Sequence, residues 1–468
     1  MSHDQNRLGR RHFLKRTAVS VGAAAVAGPA VLGADRKQGA PEVQVDAKDL
    51  IWRGRNADMA YTRMGRTNFM VSRIVQGWGG NETLWRRLLA RGVNYIDAAR
   101  GYGNFELELK PFLQKQRDKL WLTSKATDVA GYSKIDDEVV KLYRAAMKDY
   151  LGDGEGDLLA LHKKVVEKQK QGGDKPDLRP AGKRMAKLYS QQLDESLGRL
   201  GVKDVDAYFM HGIEIPWIFD CLEVWEAYEN AHKAGKAKHF GFSTHNHQKE
   251  VLAAAVEANA KGPWKIDLIM PGVNAESFDS LKPELAALKK QDVGFIAMKT
   301  SGIKNRPVDG REKKFESLVG GKSYNEWERA KLWMLNLTEG LIDAVIMQIK
   351  SNEEMEKDVP LASLKLTADA QRELRTLVKY EMAGACHLCG DCTTVCPEHI
   401  AVTNMIRYHA YHHQYNEHQL ARELYARAGY DPARVCRNCG RCAEVCPSDV
   451  RIVELLHELS ADMAGVHA

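Results

Sequence analysis

The chain has 468 residues, of which 44% are hydrophobic and 28% charged, and its formal net charge is +6. This length and apolar content predict two or three folded units and exclude an intrinsically disordered protein. Residues 1–34 hold five Arg or Lys and one Asp, whereas the other 434 residues are nearly balanced, with 63 basic and 61 acidic side chains. A nucleic-acid-binding protein, which needs a concentrated basic face, is therefore excluded.

Residues 1–34 have the pattern of an export signal. The basic head RRHFLK, with the pair Arg10 and Arg11, precedes a stretch from Thr17 to Ala34 that is rich in Gly, Ala and Val. That stretch is too short and too rich in small residues to predict a spanning helix. The head resembles a twin-arginine translocation signal, with cleavage near 31–34; a basic tail before a weak helix is the alternative. We expect an exported, periplasmic protein with no integral membrane segment after cleavage.

Residues 35–57 are predicted to form a polar linker, and residues 58–380 alternate apolar runs with amphipathic helical stretches. Eight such alternations over about 290 residues predict a parallel (β/α)8 TIM barrel, an α/β fold. A hairpin, YTRMGRTNFMVSR, is expected to close its entrance. The predicted strands are RIVQGW (73–78), VNYIDA (93–98), LWLTSK (120–125), VDAYFMH (205–211), KHFGFS (238–243), IDLIMPG (266–272), VGFIAMK (293–299) and DAVIMQI (343–349).

A basic insertion near residues 150–187 interrupts this alternation. Between Lys163 and Lys187 it carries nine Lys or Arg and three Asp or Glu. Two interpretations stay open: a solvated insertion, which is what most charge runs are, and a docking surface for an acidic redox partner.

Residues 381–468 carry a cysteine pattern that recurs after fifty residues. CHLCGDCTTVCP (386–397) and CRNCGRCAEVCP (436–447) both follow C-x2-C-x2-C-x3-C-P, and the ninth cysteine, Cys221, is expected to be buried on a helix. This spacing predicts two [4Fe–4S] clusters, with the last cysteine of each block ligating the other cluster. Zinc is the main alternative. Disulfides are not expected, because cysteines packed this densely would pair poorly with one another. The predicted ligand sets are Cys386, Cys389, Cys392 and Cys446 for one cluster, and Cys436, Cys439, Cys442 and Cys396 for the other.

The segment between the cysteine blocks is predicted to be helical, without strands. It contains His409, His412, His413 and His418. Their irregular spacing on a polar helix favours exposed or packing roles over metal ligation.

Four ionisable residues are predicted at neighbouring strand ends, where barrels of this class build active sites. Asp97 ends the second strand, Tyr102 lies in the loop after it, Lys125 ends the third strand and His211 ends the fourth. A lysine ammonium is expected to lower the pKa of a nearby phenol, and a neutral histidine can bind a substrate oxygen. Such a set can protonate a carbonyl oxygen while hydride reaches the carbon, or catalyse the reverse reaction.

The barrel resembles the aldo-keto reductases from about Ala60 to Asp358. The resemblance rests on YTRMGRTNFMVSRIVQGW, GVNYIDAARGYGNFELELK, LWLTSKA, SLGRLGVKDVDAYFMHG and GKAKHFGFSTHN. It implies a small-molecule carbonyl or alcohol substrate and a catalytic tetrad, which corresponds here to Asp97, Tyr102, Lys125 and His211.

The resemblance also implies NADP(H), although the cofactor positions match less well. Thr244 stands where the family usually has Asn, and Met270 and Met298 replace a common Gln and an aromatic residue. Near the last strand, Glu354 and Asp358 would repel a 2′-phosphate. The expected cofactor contacts are Ser243, Thr244, Asn274, Lys299 and Lys350.

The tail resembles the all-helical two-cluster ferredoxins, because 39 residues separate Cys396 from Cys436. The sequence thus predicts an exported oxidoreductase that interconverts a carbonyl and an alcohol and exchanges electrons with a one-electron redox partner. The alternative is a non-catalytic electron-transfer protein whose barrel binds a ligand or redox partner.

Overall fold

The computed structural model describes residues 43–302 and 306–466. They lie within one compact unit, Gln38–Ala468. The predicted export signal at 1–34 and the first part of the predicted linker lie outside the described residues.

Eight parallel strands close into a barrel, which confirms the predicted (β/α)8 architecture. Neighbouring strands pair in chain order, and β12 pairs with β3 to close the ring. Most strand residues are buried, because the helices cover the outer face of the sheet and side chains fill its interior. The barrel strands are β3 (Ile74–Gln76), β4 (Tyr95–Asp97), β5 (Trp121–Ala126), β8 (Val205–Met210), β9 (Ala237–Thr244), β10 (Leu268–Pro271), β11 (Gly294–Ala297) and β12 (Ala344–Met347).

An antiparallel hairpin closes the amino-terminal end of the barrel, as the sequence predicts. Its strands are β1 (Tyr61–Arg63) and β2 (Met70–Ser72). Phe69 is fully buried in the barrel interior, where its ring lies 5.0 Å from that of Trp121. The hairpin therefore leaves the opposite end, where the strands terminate, as the end of the barrel at which a site can form.

Twelve helices accompany the barrel in the described residues. Their apolar faces pack on the sheet, and the loops before them carry the residues at the barrel mouth. They are α1 (Glu82–Ala90), α2 (Phe105–Gln116), α3 (Asp137–Leu151), α4 (Leu158–Lys170), α5 (Arg179–Leu200), α6 (Leu222–Lys233), α7 (Gln248–Lys261), α8 (Phe278–Lys290), α9 (Glu312–Leu318), α10 (Glu326–Leu337), α11 (Asn352–Asp358) and α12 (Ala368–Met382).

The basic insertion is more ordered than a solvated loop. A short hairpin, β6 (Ala130–Gly131) and β7 (Lys134–Ile135), precedes α3 and α4, and the next barrel helix already begins at Arg179. Leu159, Leu161 and Val165 are buried, whereas the lysines between them face solvent, so the insertion is an amphipathic helical layer.

Part of the predicted linker belongs to the barrel. Arg53 donates to Leu120 O and to Asp206 Oδ1, both at 2.9 Å. Asp206 is buried and also accepts from Arg117 at 2.7 Å. The described end of the predicted polar linker is therefore bound to the barrel, because a buried carboxylate requires these cations as partners.

The tail is all-helical from Ala383 onward in the described residues, as predicted. Helix α14 packs against α15 and α18, and its core includes Met405, Leu424 and Leu456. Tyr132 of the barrel belongs to the same apolar cluster. The tail helices are α13 (Asp391–Thr394), α14 (Val402–His413), α15 (His418–Ala428), α16 (Pro432–Val435), α17 (Arg441–Glu444) and α18 (Ile452–Asp462). Within the described residues, no helix is long and apolar enough to cross a membrane.

Candidate active site and iron–sulfur module

The four predicted catalytic residues meet at the carboxyl end of the barrel. Lys125 Nζ donates to Asp97 Oδ2 at 2.5 Å and to Ala98 O at 2.8 Å, and both charged side chains are fully buried. The same ammonium lies 3.3 Å from the hydroxyl of Tyr102. The ring of Tyr102 meets that of His211 edge-on, with centroids 5.4 Å apart. The geometry therefore links the four side chains into one connected group.

Burial has a larger effect on these groups than the sequence argument assumed. It raises the pKa of Tyr102 well above 10, and the nearby Asp97 raises it further. The expectation that Lys125 would lower the pKa of this phenol below its usual value is therefore wrong. Burial also lowers the pKa of Lys125 and raises that of Asp97. The charge of Asp97 partly offsets the shift of Lys125, and the charge of Lys125 partly offsets the shift of Asp97. The direction of the shift of Tyr102 favours its neutral phenol, the form that can donate a proton to a carbonyl oxygen.

His211 is neutral as well. Burial lowers its pKa well below 6.5, and the nearby cations Lys125 and Arg407 lower it further. Its Nδ1 lies 3.0 Å from Thr127 Oγ1, and its ring stacks on that of Tyr132 with centroids 3.7 Å apart. The sequence analysis did not identify Thr127 and Tyr132, because both lie in the irregular segment after β5 and match no motif.

Two of the residues expected to contact the cofactor form hydrogen bonds to other barrel residues. Ser243 Oγ accepts from Gly212 N at 2.9 Å, and Thr244 Oγ1 donates to Asn246 O at 3.2 Å. Both side chains are buried. They therefore support the loops around His211.

The other three expected cofactor contacts bind the tail. Lys299 Nζ donates to Tyr411 OH at 2.7 Å, and Lys350 forms an ion pair with Glu417. Asn274 Nδ2 donates to Cys386 O at 3.5 Å. Since their polar groups already have partners on the tail, the residues present do not fit a bound nicotinamide cofactor in this arrangement.

Backbone contacts bring the first cysteine block against the barrel loops. His247 N donates to Cys389 O at 3.1 Å. Gly390 has a φ of +91°, and a Cβ at this position would lie 2.4 Å from His247 Nδ1. Farther along the tail, Tyr415 OH donates to Gly302 O at 2.9 Å. The tail therefore covers the barrel mouth, an arrangement that the sequence analysis did not anticipate.

The eight tail cysteines form the two groups that the sequence predicts. None of the nine cysteines, all of which are described, is in a disulfide. Cys389, Cys392 and Cys446 lie close enough to the thiol of Cys386 for their charges to raise its pKa. A separate cavity is lined by the other set, Cys396, Cys436, Cys439 and Cys442. Four convergent sulfurs from two blocks suit a cubane cluster, so these residues fit the iron–sulfur groups that their spacing implies.

The remaining predictions about single residues have mixed outcomes. Cys221 is fully buried, but it precedes α6 instead of lying inside it. The tail histidines cluster at the surface: His412 and His418 place their Nδ1 atoms 3.1 Å apart, and His413 Nε2 lies 2.6 Å from Asp462 Oδ2.

Comparison with known families agrees with both halves of this arrangement. The family model described as "Aldo/keto reductase family" matches residues 81–304, and that described as "4Fe-4S dicluster domain" matches residues 384–450. The chain joins an aldo/keto reductase domain to a dicluster iron–sulfur domain. All four residues of the tetrad lie inside the first match, and all eight clustered cysteines lie inside the second.

Solved structures with related folds have low sequence identity to this chain. A putative aldo-keto reductase from Pseudomonas aeruginosa is 18% identical, with a TM-score of 0.41, and the match covers 65% of this chain and 94% of that one. A thermostable aldo-keto reductase in complex with epalrestat is 15% identical, with a TM-score of 0.47 and coverages of 68% and 100%. Aldose reductase from Giardia lamblia is 14% identical, with a TM-score of 0.44 and coverages of 65% and 92%. No curated protein matches.

Two equivalent glycines of the tail allow a test of its docking on the aldo/keto reductase domain. Gly390 and Gly440 occupy equivalent places in the two blocks and both have positive φ, but a Cβ on Gly440 would meet nothing within 4 Å. Either alanine variant carries the left-handed penalty of about 1–2 kcal/mol. Only Gly390→Ala adds a clash with His247, worth about 1–3 kcal/mol.

We expect hydrogen exchange in the barrel loops at 243–248 and 272–274 to accelerate about tenfold in Gly390→Ala relative to Gly440→Ala. Mass spectrometry of both cluster-loaded variants measures this difference. Equal exchange in the two variants would contradict the docked arrangement.

Proposed function

We propose that this protein is an exported oxidoreductase that interconverts a carbonyl and an alcohol, with electrons exchanged through two [4Fe–4S] clusters in its tail. The two domain families support an oxidoreductase with an iron–sulfur electron-transfer domain. The observation that carries the finer proposal is the connected group of Asp97, Lys125, Tyr102 and His211, which lies directly beneath the tail.

Tyr102 is the proton donor in this proposal. Its neutral phenol would donate to the carbonyl oxygen, and the ammonium of Lys125, 3.3 Å away, would stabilise the phenolate that develops. Asp97 holds that ammonium in position. His211, with Nδ1 directed to Thr127, would bind the substrate oxygen through Nε2.

Electrons would enter and leave through the tail. Reduction of a carbonyl to an alcohol consumes two electrons and two protons: Tyr102 would supply the proton at oxygen, and water would supply the proton that forms the C–H bond. When bound, the two clusters supply one-electron transfer, which an external redox partner would sustain. Cys439 is exposed, whereas the backbone of Cys386 and Cys389 contacts the barrel loops. The second cysteine block would therefore exchange electrons with the external partner, and the first block would exchange them with the barrel site.

A non-catalytic electron-transfer protein is the second candidate. It is favoured by the bonds from Lys299, Lys350 and Asn274 to the tail, which use three polar groups that the family resemblance assigns to a nicotinamide cofactor. In that case the barrel would bind a ligand or partner, and the tetrad would have no role in turnover.

Export is proposed from the head RRHFLK with its paired arginines. Cubane clusters are inserted in the cytoplasm, and the twin-arginine route carries folded proteins, so the signal and the tail are mutually consistent. No step of the reaction depends on this proposal.

Substitution of Tyr102 tests the enzymatic proposal. Tyr102→Phe removes the hydroxyl and keeps the ring, so carbonyl turnover should fall about 10²–10⁴-fold while iron content and melting temperature stay unchanged. Lys125→Met should also slow turnover, and the double variant should lose little more, because the two groups act as one unit. Aldehydes, ketones and sugars are screened first with one-electron dyes. Full activity of the Phe variant would favour the non-catalytic candidate.

Metal analysis tests the cluster assignment. Anaerobically purified protein should be brown and contain about eight irons per chain, since eight cysteines form two sets of four. Cys396→Ser should lower iron mainly at the cluster of the second block, whose other ligands are Cys436, Cys439 and Cys442. Cys221→Ser, outside both sets, is the control. Two bound zinc ions in place of iron would overturn the assignment.

Replacement of Arg10 and Arg11 by lysine tests export. The double variant keeps the charge of the head but loses the arginine pair, so cluster-loaded protein should accumulate in the cytoplasm. Cell fractionation with an antibody against the tail measures the distribution, and Arg7→Lys serves as the control. Undiminished export would remove the twin-arginine interpretation.

A further inference from the structure

The tail places an arginine at the barrel mouth that the proposed reaction does not use. Arg407 lies in α14 and is 2% exposed. Its Nη2 donates to Tyr132 O at 2.5 Å and to Asn404 Oδ1 at 2.9 Å. Its Nε and Nη1 have no partner within hydrogen-bond distance, although the guanidinium lies near enough to Tyr411 OH to favour the phenolate of that residue. A buried guanidinium with unpaired N–H groups is costly, so this position calls for an acceptor.

The protein itself supplies no full counter-charge. In the described ranges 43–302 and 306–466, no carboxylate oxygen lies within the 4.0 Å of an ion pair with Arg407. Glu214 is the nearby carboxyl; it is half-buried, and desolvation raises its pKa to about 7, although Arg407 opposes this. Lys125 and Lys350 already have carboxylate partners, Asp97 and Glu417. The positive charge of Arg407 is thus left for a ligand.

The ring of Tyr132 connects Arg407 to the tetrad. Its guanidinium carbon lies 5.5 Å from the ring centroid of Tyr132, and that ring stacks on His211 at 3.7 Å. Tyr102 also contacts Tyr132, with centroids 6.3 Å apart. The ring of Tyr132 therefore contacts both Arg407 and His211, so Arg407 adjoins the candidate active site.

The surroundings of Arg407 are cationic and contain other buried polar atoms without partners. Lys299 and Arg407 together outweigh the effect of burial and hold the pKa of Tyr411 below 10. His245 Nδ1 and Asn246 Oδ1 lack hydrogen-bond partners. This set can bind an anion that also carries hydroxyl groups.

We propose that Arg407 binds the carboxylate of the substrate, so that the substrate is an oxo acid or the corresponding hydroxy acid. This inference rests on the proposed function for the reaction, but the anion site itself does not. Because Arg407 belongs to the tail, the site is complete only when the tail is docked.

Matched pairs of acids and amides test the site in the cluster-loaded wild-type protein. Pyruvate, lactate and gluconate are titrated by calorimetry against pyruvamide, lactamide and gluconamide. Each acid keeps the shape of its amide and adds a negative charge. Each acid should bind about 10–100-fold more tightly than its amide, because a hydrogen bond to a charged group typically contributes that much affinity. Acids that bind no more tightly than their amides overturn the proposal.

Variants assign the effect to Arg407. Arg407→Gln should abolish the preference for acids, and Arg407→Lys should retain part of it. Arg422→Gln removes an exposed arginine of the same tail and should leave it unchanged. Iron content and melting temperature report whether Arg407→Gln remains folded, and the wild-type comparison decides the question if it does not. An acid preference that survives in folded Arg407→Gln overturns the assignment.

The same titrations separate this site from the reaction. Tyr102→Phe should keep the preference for acids over their amides, because that preference depends on Arg407, although the variant should not turn the acids over. Acids that bind through Arg407 but are never converted by the wild-type protein would refute the proposed function and leave the anion site standing. Conversion of neutral carbonyl compounds without any preference for acids would refute the anion site alone.

Discussion

Desolvation at the closed mouth of the barrel governs the chemistry that this protein can perform. Lys125 and Asp97 are fully buried, and an isolated charge in such a place would be too costly to keep. Their 2.5 Å contact is what allows a cation to remain beside Tyr102. The same burial keeps the phenol and the imidazole of His211 neutral. A site that donates a proton to a bound oxygen would require this combination of the Lys125–Asp97 ion pair with a neutral phenol and a neutral imidazole.

The tail provides much of that desolvation. Tyr132, which stacks on His211, packs in the apolar cluster of the tail, and Lys299 bonds to Tyr411. These contacts join the electron-transfer module and the barrel into one site. A cofactor that enters from solution would compete with the tail for the same polar groups. An electron carrier that is part of the chain does not meet this competition.

Recognition of the substrate would depend on the same closure. Arg407 is brought to the mouth by α14, a helix that also builds the core around the clusters. A substrate anion that satisfies its free N–H groups would strengthen the docking of the tail, because binding to one arrangement stabilises that arrangement. Substrate binding and electron delivery would then be coupled through a single helix.

The sequence alone was sufficient for the barrel, the entrance hairpin and the two cysteine sets. Strand runs such as LWLTSK (120–125) and VDAYFMH (205–211) are short and largely apolar, and they place Asp97, Lys125 and His211 within one residue of the observed strand ends. The cysteine spacing is a local property of the chain, and cluster geometry demands it. Local pattern therefore determined where the candidate catalytic and ligand residues lie.

Only the tertiary structure decided how these parts act on one another. The pKa of Tyr102 depends on burial, which no residue type or spacing reveals, and the argument from Lys125 alone gave the wrong direction. The contacts of Lys299 with Tyr411 and of Tyr132 with Arg407 join residues more than a hundred positions apart. Such contacts arise from the docking of two folded surfaces, and their residues carry no local periodicity. For that reason the sequence identified the two modules, whereas their shared site became visible only in the folded chain.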